Sequence, residues 1–166
     1  YEYVPETKDV LSKDVSYAML DLMSGVTQGG SGTRLRTTGA EKYRPEYKEI
    51  ITGYPYEFKN PIAGKTGTTQ NQSDGWFMGM VPNLVTGVWV GGDDKAVHFR
   101  TITYGQGASM ALPIWGLYMK KNYANKELGI SDGEFEKPEN LSINVDCSKT
   151  STEEDNKIDI EDDLDF

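Results

Sequence analysis

The chain has 166 residues, of which 37% are hydrophobic, 26% charged and 11% aromatic, values ordinary for one globular domain with a real core. Its formal charge of −9 excludes a general nucleic-acid-binding protein, which needs an excess of Lys and Arg to neutralise phosphates. Most of that charge lies in residues 151–166, which hold eight acidic side chains and one basic side chain. No apolar run reaches the 18 residues of a membrane span, and the chain begins at Tyr1. We therefore expect a piece of a longer polypeptide, here termed the parent, with any membrane anchor upstream.

The first predicted element is an amphipathic helix over residues 12–27, with Ser12 as its N-cap and Gly29-Gly30 as its stop. Its apolar residues recur at three- and four-residue spacings, and we expect this stripe to pack in the core. The stripe consists of Val15, Ala18, Met19, Leu22, Met23 and Val26. Residues 29–60 are rich in glycine, tyrosine and charge, and they predict a loop-rich excursion with one short strand near residues 33–37.

Three short β-branched and aromatic segments follow at residues 62–69, 75–81 and 84–91, separated by turn residues. This spacing predicts an antiparallel meander in which Trp76, Met78 and Met80 share one face of the second strand. A second helix is predicted from Gly107 to about residue 123, with Pro113 producing a kink or marking an early turn. Residues 127–166 are polar and acidic, so we expect a largely disordered tail after a folded portion at residues 1–126.

The most specific string in the chain is AGKTGTT at residues 63–69. It is not a nucleotide-binding P-loop, because Lys59 stands where that motif needs glycine and the string precedes a strand, not a helix. The dinucleotide patterns that begin at Gly30 and Gly105 both lack their third glycine. His98 has no nucleophile elbow near it, and we expect it in an exposed loop. With Cys147 as the one cysteine, the sequence predicts neither a disulfide within the chain nor a metal site or cofactor.

A Lys-Thr-Gly strand is the third element of the serine enzymes that recognise penicillin. Around it the sequence resembles, over about residues 8–123, the C-terminal part of the transpeptidase domain of a bifunctional (class A) penicillin-binding protein, which also carries a glycosyltransferase domain. Four blocks in the right order carry the resemblance. They are MSGV with Gly32-Thr33 after the first helix, PIAGKTGTT at residues 61–69, DGWFMGMVP with VWVG at residues 74–91, and the closing helix from Gly107 through ALPIW.

The resemblance implies an α+β fold of the β-lactamase/transpeptidase type, with an antiparallel sheet flanked by helices. It implies catalytic roles for Lys65 and for the backbone N–H of Thr68, which completes the oxyanion hole. It implies that substrate or β-lactam is bound by Thr66, Gly67, Thr68 and Thr69. The implied partners are peptidoglycan stem peptides and β-lactams, with no cofactor and no metal. The implied location is the extracytoplasmic (periplasmic) face of the bacterial cytoplasmic membrane.

Two further elements of the family are absent from this chain. No serine has a lysine three residues on, so the acylated Ser-x-x-Lys is expected upstream, and the chain alone is expected to be inactive. Ser142-Ile143-Asn144 spells Ser-x-Asn, but it follows the third motif instead of preceding it, and we reject it. A serine β-lactamase fragment and a non-catalytic module that binds cell-wall peptides remain as alternatives.

Overall fold

The computed structural model describes residues 8–36 and 45–146. Their secondary structure places three strands between two long helices. This α+β arrangement, an antiparallel sheet flanked by helices, confirms the predicted fold class. The helices and strands are α1 (Lys13–Gln28), α2 (Tyr47–Ile50), β1 (Ala63–Thr68), β2 (Asp74–Val81), β3 (Leu84–Gly91), α3 (Ile102–Gly105) and α4 (Gly107–Ala124), with 3₁₀ turns at Thr33–Leu35, Gln70–Gln72 and Lys126–Leu128.

The sheet has the order β1-β2-β3, and both pairs of neighbours are antiparallel. This confirms the predicted meander, with boundaries shifted by a residue or so. The register places Lys65 opposite Met78 in β2 and Trp76 opposite Trp89 in β3. Along β2, Trp76 and Met78 are exposed while Phe77 is buried, as the period of two along a strand requires. The sheet therefore has one covered face and one open face.

Helix α4 covers the buried face of the sheet. The ring of Trp115, which is fully buried, meets the ring of Phe77 edge-on at a centroid distance of 5.3 Å. Gly79 makes this packing possible, because a Cβ there would lie 2.3 Å from the indole of Trp115. Pro113 lies inside α4, and the helix continues through it. The helix begins at Gly107, as predicted, and its buried side forms most of the core with the aromatic residues of the 54–58 segment.

Helix α1 begins as predicted, since the Ser12 side chain accepts a hydrogen bond from the Val15 N–H at 3.3 Å. The prediction that its apolar stripe packs in the core is wrong for three residues. Val15, Met19 and Leu22 are 41%, 49% and 65% exposed. The reason is that α1 buries only its C-terminal end, where Thr27 donates to the carbonyl of Ile62 at 2.6 Å. No element among the described residues covers Val15, Met19 and Leu22.

The short strand predicted near residues 33–37 is also wrong as far as residue 36. Thr33–Leu35 form a 3₁₀ turn, in which Leu35 N–H donates to the Gly32 carbonyl at 3.1 Å and Arg36 N–H to the Thr33 carbonyl at 2.9 Å. These local bonds satisfy backbone groups that a strand would pair with a neighbour. Residues 37–44 lie outside the described part of the chain.

Residues 129–146 continue without helix or strand along the outside of the molecule. Ser131 N–H donates to the side-chain oxygen of Asn83 in the β2–β3 turn at 2.8 Å, and Ser142 N–H donates to Asp14 of α1 at 2.9 Å. The predicted boundary at residue 126 and the disorder of the tail stay predictions. Residues 147–166, including Cys147 and the acidic run, lie outside the described residues.

Candidate functional site at the edge strand

A buried arginine fixes the path of the chain into β1. The guanidinium of Arg36 donates to the carbonyls of Phe58 and Asn60 and to the hydroxyl of Thr27 at 2.9 Å. Burial lowers the pKa of Arg36 from its ordinary value, an effect that the nearby Tyr123 partly offsets. Through these bonds the end of α1 and the segment that precedes β1 are tied to one side chain.

The motif strand lies at an edge of the sheet, because β1 pairs with β2 on one side and with no other strand among the described residues. Beyond the strand end, Thr69 N–H donates to the Asp74 carbonyl at 3.1 Å. In an antiparallel ladder, the N–H and C=O groups of successive residues point alternately toward the partner strand and away from it. The N–H and C=O groups of Gly67 and Lys65 therefore also point toward β2. Thr66 and Thr68 therefore direct their N–H and C=O groups out of the sheet, where an added strand can bind them.

The side chains of β1 divide between the two faces of the sheet. Lys65 and Gly67 lie on the open face, opposite Met78 and Trp76. Lys65 is exposed, and its ammonium donates to the carbonyl of Thr66 at 2.9 Å, at the free edge. A Cβ on Gly67 would lie 3.1 Å from the Cβ of Trp76, so a side chain there would crowd the surface beside the edge. The lysine charge is thus held near the outward backbone groups of the strand.

The hydroxyls of Thr66 and Thr68 lie on the face toward the helices. Thr66 Oγ1 is 2.6 Å from Oγ of Ser31, in the loop after α1. Thr68 Oγ1 accepts a hydrogen bond of 3.0 Å from the N–H of Gly107, the first residue of α4. The structure therefore brings the loop after α1 and the start of α4 into contact with the motif. The sequence pattern predicted neither contact.

Thr69 is engaged in the turn that follows β1. Its hydroxyl accepts from Asp74 N–H at 2.9 Å and lies 2.9 Å from Ser73 Oγ and 3.1 Å from the carboxylate of Asp74. The family resemblance implies that Thr69 contacts the substrate. This geometry instead favours a role for Thr69 in closing the turn.

Asp74 forms hydrogen bonds with several polar groups around that turn. Its buried carboxylate accepts hydrogen bonds from the Lys95 ammonium at 2.6 Å and from the Trp89 indole N–H at 3.1 Å, as well as from Thr69. The hydrogen bond from Lys95 is the main cause that lowers the pKa of Asp74 to about 2. Lys95 lies 21 residues along the chain, so no local spacing in the sequence pairs it with Asp74.

Replacing Asp74 by asparagine in the parent is expected to lower the melting temperature at neutral pH and to remove part of its acid sensitivity. Because the folded-state pKa lies below the ordinary value of 3.8, the carboxylate stabilises the fold above about pH 4. That contribution is lost as the pH falls toward 2. The melting temperatures of parent and variant should converge between pH 4 and 2, whereas Asp93→Asn, in the exposed turn after β3, should follow the parent. An unchanged difference at pH 2 and pH 7 would contradict the assignment.

The other sequence-level candidates lie away from β1. Ser142 contacts Asp14 at the start of α1 and not the motif strand. His98 is exposed in a loop, as expected. Within residues 8–36 and 45–146, no three His, Cys, Asp or Glu side chains cluster as metal ligands would. In the same ranges, none of the helices combines the length and the apolar character of a membrane span.

Comparison with known proteins gives a consistent set of relatives. The chain is 32% identical over 147 residues to penicillin-binding protein 1A of Aquifex aeolicus, a match that covers 87% of this chain and 16% of the Aquifex protein. It is 30% identical over 141 residues to penicillin-binding protein 1A of Clostridium tetani, covering 85% of this chain and 15% of that protein. With penicillin-binding protein 1A of Escherichia coli K12 it shares 40% identity over 73 residues.

No family model matches the chain. The chain spans about a sixth of the length of the first two relatives, and those matches extend over most of its own residues. The chain therefore belongs to the penicillin-binding protein family.

Proposed function

We propose that this chain is the C-terminal segment of a peptidoglycan D,D-transpeptidase domain in a class A penicillin-binding protein. The parent cross-links stem peptides by serine acyl transfer and is acylated by β-lactams. The observation that carries the proposal is the free edge of β1, which has the Lys65 ammonium bonded to the outward Thr66 carbonyl and the hydroxyls of Thr66 and Thr68 on the opposite face of the strand from Lys65. The names of the relatives, all penicillin-binding proteins 1A, support it.

The reaction requires a nucleophile, a base, an oxyanion hole and a contact for the terminal carboxylate. A serine of the parent attacks the carbonyl between the two terminal D-alanines, and the last D-alanine leaves when the C–N bond breaks. An amine of a second stem peptide then accepts the acyl group from the serine. In this proposal β1 provides the oxyanion donor and the carboxylate contact, while the serine and its lysine come from the upstream part of the parent.

The Thr68 N–H is suited to the oxyanion because a strand backbone is fixed before the reaction starts. A peptide that adds to the edge of β1 as an antiparallel strand places its carbonyl oxygens against the outward N–H groups. Loss of one such donor in a hydrolase costs about 100- to 1000-fold in rate. Thr66 and Thr68 then offer hydroxyls to the terminal carboxylate, and Lys65 favours the anionic end of the substrate.

The exposed apolar surfaces support a larger parent domain. Trp76 and Trp89 on the open face of the sheet are 44% and 45% exposed, and their rings lie 6.3 Å apart between centroids. Met19 and Leu22 on α1 are exposed as well. Exposed apolar side chains of this kind mark places where another part of the protein packs. We propose that the part carrying the nucleophile covers these side chains, and that the domain lies outside the cytoplasmic membrane on an upstream anchor.

Labelling with a fluorescent penicillin tests the function. The parent is expected to form a stable covalent adduct on a denaturing gel, while residues 1–166 alone, which contain no Ser-x-x-Lys, are expected to form none. The control is competition by excess unlabelled penicillin. An adduct that turns over quickly with hydrolysis of the β-lactam would identify a β-lactamase instead. No adduct on the parent would favour the non-catalytic module, and stoichiometric labelling of residues 1–166 would show that the nucleophile lies within them.

A further inference from the structure

We propose that Ser31 is a positioning residue for the terminal carboxylate of the substrate, and that it acts through the hydroxyl of Thr66. This inference rests on the proposed function. Ser31 Oγ and Thr66 Oγ1 lie 2.6 Å apart, at the short end of the range for hydrogen bonds between hydroxyls. The two residues are 35 positions apart in sequence, so the contact is made by the fold and not by local chain geometry.

The loop that carries Ser31 is held in place without the help of Thr66. On one side of it, Gly30 N–H donates to the Gly25 carbonyl at 3.1 Å, and on the other, Gly32 N–H donates to the Val26 carbonyl at 2.9 Å. Both bonds fold the loop back onto the end of α1. Ser31 is itself exposed, so its hydroxyl is presented at the surface beside the free edge of β1.

The Ser31–Thr66 pair keeps one hydroxyl proton that can be donated to an anion. Two hydroxyls carry two protons, and the hydrogen bond between them uses one. When Ser31 is the donor, the oxygen of Thr66 is an acceptor and the proton of Thr66 is free to point toward the edge. A carboxylate there accepts that proton in a hydrogen bond, and the bond is strengthened because Ser31 polarises the Thr66 hydroxyl.

The hydroxyl of Thr68 is oriented in the same way, by a hydrogen bond from the backbone N–H of Gly107. The N–H of Gly107 can only donate, so Thr68 Oγ1 accepts at 3.0 Å and the Thr68 proton must point elsewhere. With Ser31 as the donor to Thr66, both motif hydroxyls accept a hydrogen bond from another group of the protein and keep a proton for the ligand. Two aligned donors on one edge select a ligand with two acceptor oxygens, which is the chemistry of a carboxylate.

The test compares two β-lactams that differ in that carboxylate. The rate constant of acylation of the parent is measured with benzylpenicillin and with its methyl ester, for the parent and for Ser31→Ala, Ser31→Thr and Ser24→Ala. Loss of one hydroxyl bond is expected to slow Ser31→Ala about threefold to tenfold with the free acid. With the ester the rate is expected to stay within about twofold of the parent. Ser31→Thr keeps the hydroxyl and should restore the free-acid rate.

Ser24→Ala is the matched control, because Ser24 lies seven residues earlier and its hydroxyl donates to the Leu20 carbonyl of its own helix at 2.8 Å. It should match the parent with both compounds. An equal loss with acid and ester in Ser31→Ala would show that Ser31 merely fastens the loop to the strand, and an unchanged free-acid rate would overturn the proposal outright. A parent that benzylpenicillin does not acylate at all would instead refute the proposed function, and this inference with it.

Discussion

Lys65→Ala in the parent is expected to slow acylation by penicillin about 10- to 150-fold, the range for losing one charge-assisted hydrogen bond to the ligand. The melting temperature should stay close to that of the parent. Lys65 is exposed on the open face of the sheet, and its ammonium contacts only the adjacent Thr66 carbonyl among the described residues. Surface substitutions of this kind change stability by less than about 0.5 kcal/mol. Acylation rate and thermal unfolding are measured on the same preparations.

Two further variants sharpen this experiment. Lys65→Arg should also be slow, because a planar guanidinium is longer than an ammonium and cannot occupy the same point. Lys59→Ala removes an exposed lysine just before β1 and should acylate like the parent. A Lys65→Ala protein that acylates at the parental rate with an unchanged melting temperature would remove this lysine from the site.

Gly107→Ala is expected to damage both the fold and the site. A Cβ at this position would lie 2.3 Å from the Gly67 carbonyl oxygen and 2.5 Å from the Trp76 carbonyl oxygen. Both are backbone atoms of paired strands, so neither can rotate away as a side chain can. Overpacking of this kind costs about 1–3 kcal/mol, and the start of α4 must move off the sheet. That movement also breaks the bond from Gly107 N–H to Thr68 Oγ1.

Gly25→Ala is the matched substitution in the other long helix. A Cβ at Gly25 meets nothing within 4 Å, and alanine is favoured over glycine in a helix interior by about 1 kcal/mol. Gly25→Ala should therefore melt at or above the parental temperature and acylate normally. If Gly107→Ala were as stable and as active as Gly25→Ala, the close approach of α4 to the motif strand would be refuted. Thermal unfolding and penicillin acylation measure both effects.

The sequence predicted the strands well because their pattern is local. Alternation along β2 and the turn residues between the strands determine the faces of Trp76 and Phe77 without reference to distant residues. The limits of α1 were equally local, since Ser12 can cap a helix wherever the helix packs. The error for Met19 and Leu22 arose because an apolar stripe indicates that a face needs a partner, but not which residues supply it.

The candidate site was predictable only along the motif strand. Lys65, Thr66, Gly67 and Thr68 follow one another in β1, so a linear motif finds them together. The partners that orient them come from elsewhere in the chain. Ser31 reaches Thr66 across 35 positions and Gly107 reaches Thr68 across 39, and neither spacing has a sequence signature. Such contacts depend on how the helices pack against the sheet, which single-residue patterns do not encode.

The unequal burial of the three tryptophans gives the chain a built-in optical reporter. Trp115 is 1% exposed between Phe58 and Phe77, whereas Trp76 and Trp89 are nearly half exposed on the open face. Emission from Trp115 is therefore shielded from a dissolved quencher such as acrylamide, and emission from the other two is not. A part of the parent that covers the open face lowers the fraction of the tryptophan emission that the quencher can reach. It leaves the shielded emission of Trp115 unaltered. Quenching of intrinsic fluorescence thus separates association at that face from a loss of the core.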